Sequence, residues 1–182
     1  MPRVRHGAIY FIMKSRQLLL DEAFRQKVFH GGSEGIGKRK TARPLVTKRP
    51  MHLVFKAEVS TLRRKGNLSY IEQVTKTLSK NFFVRIYKLS INSNHLHLIV
   101  QAKNKKGLQD FLRAMGSNIA IHVSGACKGK PLTGKFWSHP VWTRIIEWGK
   151  PFQIALSYVQ KNILESLGLI PYRRDCRINK ME

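Results

Sequence analysis

Between residues 51 and 167 the apolar side chains switch repeatedly between two spacings, every second position and every third or fourth. The order of those switches leaves few folds open. His52-Leu53-Val54-Phe55-Lys56-Ala57-Glu58 alternates and is rich in strand formers, which gives a first strand. Residues 68–80 set Ile71, Val74 and Leu78 on one face of a helix. Phe82 to Ile91 reads as a second strand, and Asn92-Ser93-Asn94 turns it back into a third, so the two form a hairpin. Leu108, Phe111, Leu112, Met115, Ile119 and Val123 line a helix over 107–124. Trp142 to Glu147 supplies a fourth strand, and Pro151 suits the first turn of a last helix running to about Leu167. The order β-α-β-β-α-β is the split βαβ arrangement, an α+β, ferredoxin-like antiparallel sheet, here with an additional C-terminal helix. Its first and third strands are the central pair. One sheet face packs on the first two helices, and the other is left for a ligand or for the last helix.

The third strand, Asn94-His95-Leu96-His97-Leu98-Ile99-Val100-Gln101, carries the chemistry. Alternation sends Leu96, Leu98 and Val100 into the core and brings His95 and His97 out side by side on the other face. Two adjacent imidazoles on an apolar strand are half of a divalent-metal site, although a pair held by hydrogen bonds would look the same in sequence. His52 on the neighbouring strand shares the histidine face by the same alternation. In the last helix Phe152, Leu156, Val159, Ile163 and Leu167 form the apolar stripe. Tyr158 and Asn162 lie four apart on the adjoining row and face one point. His122 and His139 read as surface or loop histidines, and at least two of Trp137, Trp142 and Trp148 as packing residues.

Charge names the class of partner. The 182 residues hold 34 Lys+Arg against 10 Asp+Glu, a formal net charge of +24. Such a field gathers polyanions, and nucleic acid is the first candidate because phosphate contacts release counterions whatever the sequence. No stretch approaches the apolar length of a membrane span, and the short run after Arg3 and Arg5 lacks a cleavage site, so the chain reads as cytoplasmic. Cys127 and Cys176 have no metal-knuckle or disulfide spacing. Composition divides the chain into an N-terminal extension and basic arm (1–50), a regular domain (51–170) and a tail (171–182). Within the extension, residues 17–29 suit a short helix and 30–37 a flexible glycine-rich stretch. Lys38, Arg39, Lys40, Arg43, Lys48 and Arg49 form the arm; with Arg144 and Lys161 they are the candidate phosphate contacts, chosen by charge and placement.

Three segments together resemble the HUH single-tyrosine transposases, the IS200-like group, and among them most the bacterial enzymes associated with repetitive extragenic palindromes (REP). They are Asn94-His95-Leu96-His97-Leu98-Ile99-Val100, Phe136-Trp137-Ser138-His139-Pro140-Val141-Trp142, and Tyr158-Val159-Gln160-Lys161-Asn162. The last is similar to that group's Tyr-Ile-x-x-Asn-Pro signature, with Ile163 standing where the proline is expected. The resemblance spans roughly residues 50–170. It implies a tyrosine nucleophile, Tyr158, on the C-terminal helix. It also implies a Mg²⁺ or Mn²⁺ ion held by His95, His97 and Asn162, and a 5′-phosphotyrosine intermediate on single-stranded or hairpin DNA. The active enzyme would be a monomer or a homodimer. Three rivals share parts of this pattern. A non-catalytic RNA-recognition-type domain has the same topology and charge but reads bases with aromatics on its central strands, where this chain has histidines. A replication or relaxase-type nickase shares the histidine motif but comes with further regions. An inactive relative that only binds hairpins would be expected to lack some of the catalytic set.

Overall fold

The computed structural model describes residues 29–33 and 43–172. Its elements run β1 (Phe29–His30), β2 (Met51–Lys56), α1 (Lys65–Asn81), β3 (Val84–Ile91), β4 (His95–Ala102), α2 (Lys105–Ser124), β5 (Trp142–Ile145) and α3 (Lys150–Ser166). From β2 to β5 this is the expected β-α-β-β-α-β order, and α3 is the additional C-terminal helix. The strands form one antiparallel sheet in the order β1-β5-β2-β4-β3. The histidine strand β4 is therefore interior, with β2 on one side and β3 on the other.

The helix boundaries have local causes. α2 starts where Asn104 Oδ1 accepts the Gly107 backbone N–H at 2.6 Å, and it stops at Gly125, whose φ of 67° glycine adopts without strain. α3 follows Gly149 and carries Pro151 in its first turn, where no intrahelical bond needs the missing N–H.

Alternation along β2 and β4 points Leu53, Phe55, Leu96, Leu98 and Val100 at α1 and α2, where they meet Ile71, Leu108, Phe111, Met115 and Ile119. All of these are essentially buried, and each large apolar side chain so buried contributes ~1.5–3 kcal/mol. The other sheet face holds a far smaller apolar cluster, Ile99, Ile146, Phe152 and Val159, by which α3 docks. That imbalance leaves room on the α3 face for polar groups.

Three expectations change. Phe29 belongs to β1 rather than to a helix, while the rest of 17–29 lies outside the described residues, as do Lys38, Arg39 and Lys40. The glycine-rich stretch is built into the sheet at its start, where Phe29 and His30 pair with Arg144 and Thr143. Gly31 has φ 83°, and a Cβ there would lie 2.3 Å from Val141 O, so only glycine lets the chain approach that closely. Leu167, expected to end the apolar stripe of α3, lies beyond the helix and is exposed. No helix among the described residues is long and apolar enough to cross a membrane.

Candidate active site

The register across the two central strands assembles the site. β4 turns His95, His97, Ile99 and Gln101 toward α3, and β2 places Lys56 opposite His95, Val54 opposite His97 and His52 opposite Ile99. His52 Nε2 lies 3.0 Å from His97 Nδ1, and the two rings stack with centroids 5.2 Å apart. His95 stands edge-on to His97 at 4.9 Å. Trp142 from β5 closes the other side of His52, its ring 5.5 Å away. α3 then brings Tyr158 over the group, its ring centroid 5.6 Å from that of His97 and 6.0 Å from that of His52. His95, His97 and Tyr158 thus come together as expected, and His52 joins them as a direct partner of His97.

Burial decides the protonation of these rings. Desolvation, followed by the charges of His52 and His95, drives the His97 pKa down from 6.5 to about 2. Desolvation and then Arg144, its cross-strand neighbour, take His52 down to about 4. His95 is lowered by burial and then by Lys56. All three are neutral at pH 7, so each keeps one nitrogen lone pair. His95 Nδ1 lies 2.7 Å from Asn94 Oδ1, an acceptor only, so this nitrogen carries the proton. The lone pair is then on Nε2, which meets the Asn92 amide Nδ2 at 2.7 Å. Ser90, the cross-strand neighbour of His97, is buried, and its Oγ has no hydrogen-bond partner among the described residues.

Asn162 lies one helical turn beyond Tyr158, and its Nδ2 donates to the Tyr158 carbonyl at 2.9 Å. That bond commits the amide nitrogen and leaves the side-chain oxygen as the group able to act as a ligand. No hydrogen bond joins Asn162 to either histidine among the described residues, and no three His, Cys, Asp or Glu side chains there cluster as a metal site. A divalent ion would therefore rest on two neutral imidazoles and an oxygen from outside that group of residue types, such as the Asn162 amide.

The candidate phosphate contacts divide by what already holds them. Arg43 Nη1 donates to Val141 O at 2.7 Å and is half-buried, with its pKa lowered by that burial, so it braces the β5 connection. Arg49 pairs with Glu147, and Lys161 Nζ lies 3.8 Å from Glu165 Oε1 on its own helix. Lys48 is exposed while its carbonyl accepts the Trp148 indole N–H at 2.9 Å. Arg144 is exposed beside His52, and Lys56, not singled out by charge pattern, is exposed beside His95. Trp137 packs on Phe55 and donates to Gly116 O at 3.0 Å, whereas Trp148 is exposed. His122 stacks on Tyr70 at the surface of α1 and α2, away from this cluster.

Residues 46–162, more than half of the chain, match the family model for IS200-like transposases. Among solved structures the chain is similar to a REP-associated tyrosine transposase bound to a REP hairpin. The match has 10% identity and a TM-score of 0.56, over 79% of this chain and 87% of that one. At that identity the likeness is one of fold. A Deinococcus radiodurans R1 protein shares 16% identity over 69% of this chain and 98% of its own, with a TM-score of 0.42, too loose a likeness to add to it. No curated protein matches the chain in sequence.

Proposed function

Because the chain belongs to the IS200-like transposase family and is a DNA transposase, we propose that it cuts and rejoins single-stranded or hairpin DNA with Tyr158 as nucleophile. The observation that carries this reading is the Tyr158 ring seated 5.6 Å from His97, above a face of neutral histidines, in a chain of net charge +24. A neutral hydroxyl is a weak nucleophile, so the Tyr158 proton leaves as the new bond forms. In the proposed step the Tyr158 oxygen bonds to phosphorus and the bond from phosphorus to the 3′ oxygen breaks. The departing oxygen takes up a proton and leaves as a 3′-hydroxyl. The 5′-phosphate stays on Tyr158, and attack by a 3′-hydroxyl reverses the step without an external energy source.

The residues fit a divalent ion of the Mg²⁺ or Mn²⁺ kind. Neutral, buried imidazoles carry nitrogen lone pairs, that of His95 Nε2 now accepting from the Asn92 amide, which an ion would displace. Asn162 adds an amide oxygen, and the Ser90 hydroxyl, without a partner among the described residues, a further polar group beside His97. His95, His97 and Asn162 would hold the ion, which when bound would neutralise charge on the non-bridging phosphate oxygens and align the scissile bond. His52 acts through His97: accepting the hydrogen bond from Nδ1–H leaves the lone pair on His97 Nε2 and fixes its ring. Lys56 and Arg144 flank the histidine face and take the neighbouring phosphates. In this reading residues 51–170 are the catalytic domain, acting on DNA in the cytoplasm.

A labelled hairpin oligonucleotide incubated with the protein and Mg²⁺ tests the reading. An SDS-resistant adduct should form, and both Tyr158→Phe and the pair His95→Ala with His97→Ala should lose it. An adduct that persists in Tyr158→Phe removes the assigned nucleophile. One that persists in the double alanine variant removes the metal role of the histidines.

A further inference from the structure

The α1–β3 turn holds an aromatic side chain in an unfavourable place. Phe83 follows the C-terminal cap of α1 with φ 54°, the one positive φ at a non-glycine residue among the described residues. Glycine or asparagine is at ease there, and an aromatic residue is strained. The ring gains no burial in return, since Phe83 is 65% exposed. Strain kept in an exposed aromatic residue calls for a use outside the fold.

The surroundings say what kind. Phe83 lines an open hollow of about 280 Å³ with Thr47, Arg85, Gln101, Ala102 and Lys103. Lys103 Nζ lies 5.8 Å from the Phe83 ring centroid, and the Arg85 guanidinium lies 5.1 Å from that of Tyr87. Neither cation is paired with a carboxylate among the described residues. The Gln101 amide is held in place, donating to Thr47 O at 3.0 Å and accepting from the Tyr87 hydroxyl at 2.7 Å. One flat apolar ring with a lysine over one face, and an arginine in the same hollow, does not suit a protein partner, which would want a contiguous apolar patch. It suits an unpaired base, with the ring as a stacking platform and the cations on the adjoining phosphates.

The hollow also lies on the right side of the sheet. Gln101 is four residues beyond His97 on the same face of β4, a separation of about 13 Å. We propose that this hollow is a second DNA contact, in which Phe83 stacks on an unpaired nucleotide of the single-stranded flank beside the hairpin while Arg85 and Lys103 hold its phosphates. The proposal rests on the DNA substrate proposed above and deepens it by placing the flank.

Fluorescence anisotropy with the full chain tests it, using one hairpin oligonucleotide blunt, with a 5′ flank and with a 3′ flank. Phe83→Ala should weaken binding of a flanked hairpin ~5- to 100-fold and leave the blunt hairpin unchanged, while Phe83→Trp should retain flanked binding. A fluorescent purine analogue in that flank should be quenched by the wild type and not by Phe83→Ala. Phe83→Gly should raise the melting temperature, because the strain goes, and still weaken flanked binding. If Phe83→Ala binds every hairpin as the wild type does, or if Phe83→Gly lowers the melting temperature, the second contact is wrong while the DNA reading stands. Failure of the wild type to bind any of the three overturns both.

Discussion

The two faces of β4 are one residue apart in sequence and opposite in what they bury. Leu96, Leu98 and Val100 meet a large apolar cluster from α1 and α2, while His95, His97 and Gln101 meet one helix, two cations and a few ring edges. The apolar face gains free energy from every contact it makes. The histidine face holds desolvated imidazoles whose protonation burial disfavours, and a serine hydroxyl without a partner among the described residues. Such a face is maintained by the stability of the other. Its rigidity comes from the same backbone, so the core fixes where the histidine rings stand.

Substitutions on the two faces should separate stability from chemistry, and this is the largest effect expected. Leu98→Ala should lower unfolding free energy by ~2–5 kcal/mol, read as a urea midpoint, with strand cleavage surviving at low temperature. His95→Ala combined with His97→Ala should leave that midpoint nearly unchanged at neutral pH and abolish cleavage. Equal loss of stability from both would break the comparison.

Next in size is the effect of His52. His52→Leu should weaken Mn²⁺ binding, measured by titration calorimetry, by ~10- to 100-fold. His52→Gln, whose amide oxygen can accept the same His97 proton, should recover most of it. If both variants bind Mn²⁺ like the wild type, the hydrogen bond between the two rings has no bearing on the ligand.

Acid should act on the histidine face. His52 and His97 stay neutral in the fold down to about 4 and about 2, whereas in the unfolded chain they protonate near their usual pKa of ~6.5. Below that value the unfolded chain binds more protons, so stability should fall as pH drops from 6.5 toward 4 and be fully present above 6.5. Melting temperatures across that window should slope downward with acid in the wild type. The slope should be shallower in His52→Gln and unchanged, though shifted down, in Leu98→Ala. The smallest effect belongs to the start of α2: Asn104→Ala removes its cap and should lower stability by ~1 kcal/mol, with cleavage intact.

The order of elements was legible because the two apolar periods are distinct wherever a strand or helix is half-buried. His95 and His97 were legible for the same reason, since alternation within one strand settles which residues share a face. His52 was placed on that face, but its bond to His97 depends on the register between β2 and β4, which no single strand records. β1 is two residues long and has no period to read; only the approach of Gly31 to Val141 explains it. Charge alone says nothing of what already holds a side chain. Arg43 and Arg49 look like free phosphate ligands in sequence, yet a carbonyl and Glu147 hold them, while Lys56 sits beside His95 unannounced by any basic run. Phe83 passed for an ordinary strand residue, since neither exposure nor a left-handed φ shows in a hydropathy pattern.

The claim that the histidine face serves Tyr158 is tested most directly on the covalent adduct itself. The protein would be trapped on hairpin DNA with Mg²⁺ and digested, and the DNA-linked peptide sequenced by mass spectrometry. The account predicts a 5′-phosphate on the Tyr158 hydroxyl and a free 3′-hydroxyl on the released strand. A link to any other residue, or a 3′-phosphate on Tyr158, would contradict it.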